Sequence, residues 1–477
     1  GGNNTIQGGS DTITVTDGET TINANSDKIT LSGGTNTVNT KSGKNTINLS
    51  GGTNTVNTKS GKNTIDITGG VNNTINFLKG TNTVNVTGGT SDDYIKANVN
   101  ISAGKNTINI GGYSIVEVNS TTKSAKSVNI KDNAFCGVQF GAGADTITNS
   151  ATIDEVNSMY SGAGNDKFYI SNGKTKRAYG EDGNDYFEII SGTSHYAYGG
   201  NGKDTFTING GDNHTISCGE DNDTVIVNGG KKYNITGDSG NDTITINSGS
   251  FHYAYGEAGN DTFNVKAGNG HKLYGGEGND TFNINGGVAT WVYGDEGNDI
   301  YNLNLTTGDS AILSDSAGDN IINIKKNYKG ITAINEFEGT NDKLSFDKSY
   351  KLTTSDNLYS NGMLNTNDST VTIYANYTKS TGAFDTTDIE FITNLKDELT
   401  NKKIDERYIT INSTIEKFSF GGKNYTLNLD NLKQDLAAWF TDHSTYADSS
   451  AVFSGGDTND INSLMAVYTK DTVNCFI

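Results

Sequence analysis

Eight aspartates, Asp166, Asp185, Asp204, Asp223, Asp242, Asp261, Asp280 and Asp299, recur at a constant interval of 19 residues, in G-x-x-G-N-D turns and close variants of them. Looser copies bracket the run at Asp145 on one side and at Asp319 and Asp342 on the other. Calcium takes six to eight oxygen ligands, and a glycine-rich turn aims backbone carbonyls inward because no Cβ blocks the required backbone angles. The aspartate supplies the charge. If the repeats stack as coils at the strand spacing of about 4.7–4.9 Å, consecutive aspartates form a column that repels itself unless a divalent cation sits between neighbours. These eleven aspartates are therefore the candidate calcium ligands. Turn carbonyls such as those of Gly199, Asn201, Gly256, Gly275 and Glu277 would complete each shell.

Stepping outward from the turns, each 19-residue unit holds two short strands. After the aspartate comes an alternating run, with Phe168 and Ile170, Phe187 and Ile189, Phe206 and Ile208, Val225 and Val227, or Phe282 and Ile284 on one face. A turn such as Gly210-Gly211 or Gly286-Gly287 follows. The second strand then points Ala197, Ile216, Ile235, Ala254, Leu273 and Val292 inward, small enough to keep the core thin. Composition supports a laddered solenoid. The chain has 477 residues, no proline and 60 glycines, and only 32% of it is apolar. Proline is excluded from paired strands, and so small an apolar inventory fills a narrow core, not a wide one.

A second array precedes the first. Val38, Ile47, Val56, Ile65, Ile75 and Val84 recur in G-x-N-T-(I/V) units every nine residues, with one slip of ten, so two units make a coil of 18. The domain reading is a solenoid over 1–112, an irregular junction over 113–139, the aspartate array over 140–342 and a mixed α/β cap over 343–477. Helical spacing in the cap appears at Leu429, Leu432, Leu436, Ala437 and Phe440, and at Ile461, Leu464, Met465 and Tyr468. Its end, Val473 to Ile477, is apolar. In the first array Asn36, Asn45, Asn54 and Asn63 stand where the aspartate would fall. That predicts a calcium-free solenoid cross-linked by asparagine ladders.

The aspartate units resemble the nonapeptide of the repeats-in-toxin (RTX) family, G-G-x-G-x-D-x-U-x with U apolar. Gly199-Gly200-Asn201-Gly202-Lys203-Asp204-Thr205-Phe206 and Gly275-Gly276-Glu277-Gly278-Asn279-Asp280-Thr281-Phe282 match it fully. The resemblance covers roughly residues 140–342. It implies a right-handed parallel β-roll with each calcium shared by two turns on one edge, and type I secretion of a bacterial protein to the cell exterior or surface. The C-terminal region would then carry the export signal. Three departures matter. Only one half of each coil is glycine-rich, which favours one calcium column over two. Glu181, Asp238, Glu257 and Asp295 replace the second glycine, as further ligands or as solvated acids. Asp221 and Asn222 alter the turn before Asp223.

Other columns share the period. His195, His214, His252 and His271, with Tyr233 among them, form either a stacked row or two chelating pairs for a transition metal. Tyr179, Tyr198, Tyr255, Tyr274 and Tyr293 form one aromatic column, and Tyr196, Tyr253 and Trp291 another. These read as a docking stripe for carbohydrate or protein, or as a self-stacking ladder open to self-association. A net charge of -20 argues against nucleic acid. No apolar run is long enough to span a membrane. The three cysteines, Cys136, Cys218 and Cys475, have no disulfide or zinc spacing. No catalytic motif is present, so the chain reads as a non-enzyme. The expected function is a calcium-stiffened structural or adhesive module of a surface layer, matrix protein or adhesin. The alternatives are the C-terminal part of a secreted enzyme or toxin, and an ice- or crystal-binding solenoid presenting Thr37, Thr55, Asn39 and Asn57.

Overall fold

A computed structural model describes residues 3–348 apart from 153–157, 175, 327, 329 and 338–340. Beyond 348 it describes strand segments between 351 and 426, then 430–443, 463–464 and 467. The chain divides into two units, Gly1–Ser239 and Gly240–Ile477.

In the first unit each coil contributes one strand to each of two parallel sheets. Thr53–Thr58 lies on Thr35–Ser42 with Asn36 beside Asn54 and Val38 beside Val56. Lys62–Ile67 lies on Lys44–Leu49 with Asn45 beside Asn63 and Ile47 beside Ile65. The alternation sends Val38, Ile47, Val56 and Ile65 inward, all fully buried, and leaves threonines and outer asparagines on the surface. Further along, Phe168, Phe187, Phe206 and Val225 share one inner row. Ala178, Ala197, Ile216 and Ile235 share the row on the other sheet. Large rings face small side chains across the thin core, and successive Phe rings stack at 4.6 Å.

Residues 113–139, whose spacing predicts an irregular junction, instead hold Ser114–Ser120, Lys126–Ile130 and Phe135–Gln139 in the same parallel ladders. The extra residues are absorbed in turns. Asn82 pairs with Asn106 because residues between them loop out, closed by a Thr90–Asp93 bridge.

The second unit repeats the arrangement. Ile244, Phe263, Phe282 and Tyr301 form one inner row, and Ala254, Leu273 and Val292 the other. Lys417–Phe420 adds to Lys343–Phe346. Of the cap expectation the described residues show the helix Asp430–Asp442, which buries Leu436 and Phe440 one turn apart, while Ala437 is exposed, and helical residues at 463–464 and 467 with Leu464 buried. Leu429, Ile461, Met465, Tyr468 and Val473–Ile477 lie outside the described residues. Among the described residues no helix is long and apolar enough to cross a membrane.

Two asparagine columns run inside the first coils. Asn45 Nδ2 donates to Asn63 Oδ1 at 2.9 Å, Asn63 to Asn82 at 2.8 Å, and Asn82 to Asn106 at 2.8 Å. On the other sheet Asn36 donates to Asn54 and Asn54 to Asn73. The second amide hydrogen goes to a carbonyl of the residue's own turn, as from Asn54 to Gly51. An outward column, Asn39, Asn57, Asn76 and Asn100, is bonded in the same way, so those amides are committed to one another. Asn63→Ala removes both ladder bonds and leaves buried partners unsatisfied. It should cost about 2–3 kcal/mol, read as a denaturation midpoint lowered equally with calcium and with chelator.

Candidate metal column

The aspartates continue the place held by the buried asparagines. Asn106 pairs with Lys126, and Lys126 N donates to Asp145 Oδ1. Asp145, Asp166, Asp185, Asp204 and Asp223 in the first unit, and Asp242, Asp261, Asp280 and Asp299 in the second, are all buried. Oδ1 of Asp145, Asp166, Asp185, Asp204 and Asp223 in the first unit, and of Asp261, Asp280 and Asp299 in the second, accepts the backbone N–H of the preceding rung. Asp166 N donates to Asp185 at 2.7 Å, Asp185 N to Asp204 at 2.7 Å, Asp261 N to Asp280 at 2.7 Å and Asp280 N to Asp299 at 2.7 Å. The asparagines that precede most of these aspartates run an outer ladder of opposite direction, as from Asn279 N to Asn260 Oδ1 and from Asn298 N to Asn279 Oδ1, while lysine precedes Asp204 and alanine Asp145. The N-D pair thus ties each turn to both neighbours.

An amide has an NH2 for its second site; a carboxylate has only another acceptor. Oδ2 of Asp185, Asp204, Asp261, Asp280 and Asp299 is buried without a hydrogen-bond partner. Each of these oxygens faces the glycine five residues earlier. The position a Cβ would take on Gly180 lies 2.1 Å from Asp185 Oδ2 and 2.6 Å from the Gly199 carbonyl of the next coil. At Gly256 the distances are 2.2 Å to Asp261 and 2.5 Å to the Gly275 carbonyl, and at Gly275 they are 2.2 Å to Asp280 and 2.5 Å to the Gly294 carbonyl. An orphaned carboxylate oxygen and a carbonyl from the adjacent coil therefore converge on the open side of a glycine. Hard oxygen donors fit calcium. Of the other carbonyls singled out from the sequence, those of Asn201 and Glu277 already accept Gly183 N and Gly259 N at 2.8 Å.

The turns are not equivalent. Asp145 Oδ2 has a partner, the buried ammonium of Lys126 at 2.9 Å, which also donates to the carbonyls of Ala142 and Thr122. Ser161 and Cys218, both buried, stand in the glycine position for Asp166 and Asp223, and Ser161 Oγ donates to the Gly180 carbonyl at 3.0 Å. Asn320, not Asp319, occupies the next place in the second unit. It accepts Asp299 N at 2.8 Å and donates its own N–H to buried Asp342 at 2.8 Å. Asp319 is exposed, one residue off the column, because this coil is longer by two residues. Glu181 and Glu257 are exposed, and Asp238 accepts from Ser217 Oγ, so these acids stand outside the column. With Asp295 they hold left-handed backbone, φ between 69° and 73°, that glycine holds in sister turns.

On the other sheet the histidines are buried and stacked, His195 on His214 at 4.9 Å and His252 on His271 at 5.0 Å. His214 Nδ1 accepts His195 N at 3.2 Å, and the Nε2 atoms of His195 and His214 face the carbonyls of Ser191 and Gly210. Burial pushes His195 down to about 3 and His214 to about 4, so both stay neutral. They act as ladder residues. Lys176 precedes His195 in this column, its ammonium donating to the carbonyls of Ser171, Ala151 and Asn149. Sequence reasoning missed both lysines, although Lys126 and Lys176 each stand 19 residues before a column residue, Asp145 and His195. Among the described residues no three His, Cys, Asp or Glu side chains group to hold a metal. An ion in the aspartate column would rely on one or two carboxylates plus carbonyls.

The tyrosine column stacks on itself: Tyr160, Tyr179 and Tyr198 at 4.5 and 4.7 Å, and Tyr255, Tyr274 and Tyr293 at 4.8 and 4.7 Å. Ring faces are taken by neighbouring rings. In the second column Arg177 lies over Tyr196, and Lys272 lies between Tyr253 and Trp291.

In comparisons with known proteins, no family model, no curated protein and no solved structure matches this chain.

Burial, with neighbouring carboxylates adding to it, raises Asp185 and Asp280 to about 7 and Asp204 to about 8; burial alone raises Asp261 to about 6. These folded-state values lie above the ordinary carboxyl value near 4, so the folded state holds the protons more tightly. Without metal, the column's contribution is full below about pH 4 and is lost as pH rises through about 6 to 8. Thermal midpoints in chelator should therefore fall between pH 6 and pH 8, and a midpoint that rises over that span would contradict the burial argument.

Proposed function

We propose that the chain is a calcium-binding structural or adhesive module of the bacterial cell exterior, of the RTX kind, in which ions between successive turns complete the coils. The observation that carries this reading is the row of buried carboxylate oxygens facing open glycines and the carbonyls of the next coil. Leaving such an oxygen charged and unpaired inside a protein is costly. A divalent cation removes that cost and bridges two coils at once. Asp145 supports the reading from within the molecule, since its Oδ2 faces a cation of the chain and is paired with it.

Calcium fits better than magnesium. The donors are carboxylate and carbonyl oxygens in adaptable turns, and magnesium demands near-octahedral geometry and dehydrates reluctantly. Extracellular calcium modules work at about 10⁻⁴–10⁻³ M. A chain whose coils need calcium stays open in a low-calcium cytosol, which suits type I export, and completes folding outside, where binding free energy becomes folding free energy. The first coils, cross-linked by amides, need no ion. In this reading the stacked tyrosines stiffen the coils, and the ends of the stack offer surface to carbohydrate or protein.

Calcium titration of the full chain at pH 7.5, followed by circular dichroism and calorimetry, tests the reading. Strand signal and heat uptake should rise together on adding calcium, with much less change for magnesium; a signal indifferent to calcium sinks it. Gly275→Ala is the sharper probe, because its Cβ would lie 2.2 Å from Asp280 Oδ2. This variant should bind one ion fewer and lose more thermal stability in calcium than in chelator, where the Cβ still meets the Gly294 carbonyl at 2.5 Å.

A further inference from the structure

Three departures from the repeat converge on one point in the second unit. Tyr301 stands in the inner row of Phe263 and Phe282, its ring stacked on Phe282 at 5.2 Å. Asp315 stands where the preceding turns have Gly275 and Gly294, and Asn320 takes the column place of the aspartate. The exchange brings new oxygens to the cradle of Gly294. The Cβ position there lies 2.2 Å from Asp299 Oδ2, 2.2 Å from Asp315 Oδ2 and 2.2 Å from Tyr301 Oη. Asp299 and Tyr301 are fully buried and Asp315 is 2% exposed. Tyr301 Oη donates to Asp315 Oδ2 at 2.5 Å, and Ala317 N donates to Asp315 Oδ1 at 3.1 Å. Asp299 Oδ1 accepts Asp280 N at 2.7 Å, which leaves Asp299 Oδ2 aimed into the cradle toward the Asp315 carboxyl, with no donor of the chain to bond it.

We propose that Asp299, Asp315 and Tyr301 form a two-carboxylate site for a divalent cation, closed over Gly294, that binds calcium more tightly than the single-carboxylate turns. The site rests on the calcium reading above and adds to it a ligand set that the repeat motif lacks. Two carboxylates facing each other out of water need a proton or a cation between them. Calcium meets both charges, and affinity in oxygen sites rises with the number of charged ligands. The phenol hydroxyl fixes the rotamer of Asp315 and keeps its Oδ2 turned toward Asp299.

Equilibrium dialysis of the full chain against buffered free calcium tests the proposal. In the wild type one ion should load before the others. Asp315→Asn should lose that early ion and leave the later ones in place, with circular dichroism in saturating calcium unchanged. Retention of the early ion by a folded Asp315→Asn chain overturns the site. If Asp315→Asn fails to fold, Tyr301→Phe decides, since the row already carries phenylalanine in earlier coils. Losing the phenol's bond to a carboxylate should weaken the early ion roughly tenfold or more, and an unchanged early affinity overturns the proposal. A wild-type chain that binds no calcium fails earlier, at the reading of the whole column.

Discussion

A polar side chain buried at the same place in every coil has to find its partner in the next coil, and its chemistry decides what else the coil requires. Asparagine is self-sufficient, because its carbonyl accepts from one neighbour while its NH2 serves the next and the local turn. Histidine manages at His214 with Nδ1 accepting from the preceding rung and Nε2 toward a turn carbonyl, while Nδ1 of His195 and of His271 lies buried without a hydrogen-bond partner. Aspartate holds the preceding backbone N–H on Oδ1 and has nothing of its own to offer through Oδ2. The glycine-rich turns, the open cradle and the raised carboxyl pKa values all follow from that one deficit.

The deficit is met in different ways along the chain. Lys126 supplies an ammonium where the asparagine column gives way to aspartate, so the change of chemistry passes through a buried ion pair. Breaking such a pair from one side costs about 3–5 kcal/mol, which makes Lys126 a structural residue of the first rank. Lys176 plays the related part on the opposite sheet, where its ammonium is held by three carbonyls at the start of the histidine column. Between these fixed points the core needs little apolar mass, because two short rows of side chains per sheet close each coil.

Much of this was legible in the sequence because the repeats are regular. The 19-residue interval located the aspartates, period-two alternation located the inner rows, and asparagines at the aspartate position announced an amide ladder. What escaped lies where the interval breaks. Residues 113–139 lose the motif but keep the coil, since pairing tolerates extra residues in turns. The two-residue insertion after Asp299 hid the fact that Asn320 takes the column while Asp319 faces water. Asp315 carried no signal on its own; only its alignment with Gly294 shows that a carboxylate has replaced a glycine. The altered turn Asp221-Asn222 set Asp223 apart in the sequence, but the exchange of glycine for Cys218 five residues before it shows only once the coils are aligned.

The claim that Oδ2 awaits a cation is most directly tested by a crystal structure from millimolar calcium, with anomalous scattering used to distinguish calcium from water. The account predicts a calcium ion about 2.3–2.6 Å from Asp280 Oδ2 and from the Gly294 carbonyl, on the open side of Gly275. Water or a protonated carboxyl at that point, with no anomalous signal anywhere along the column, would contradict it.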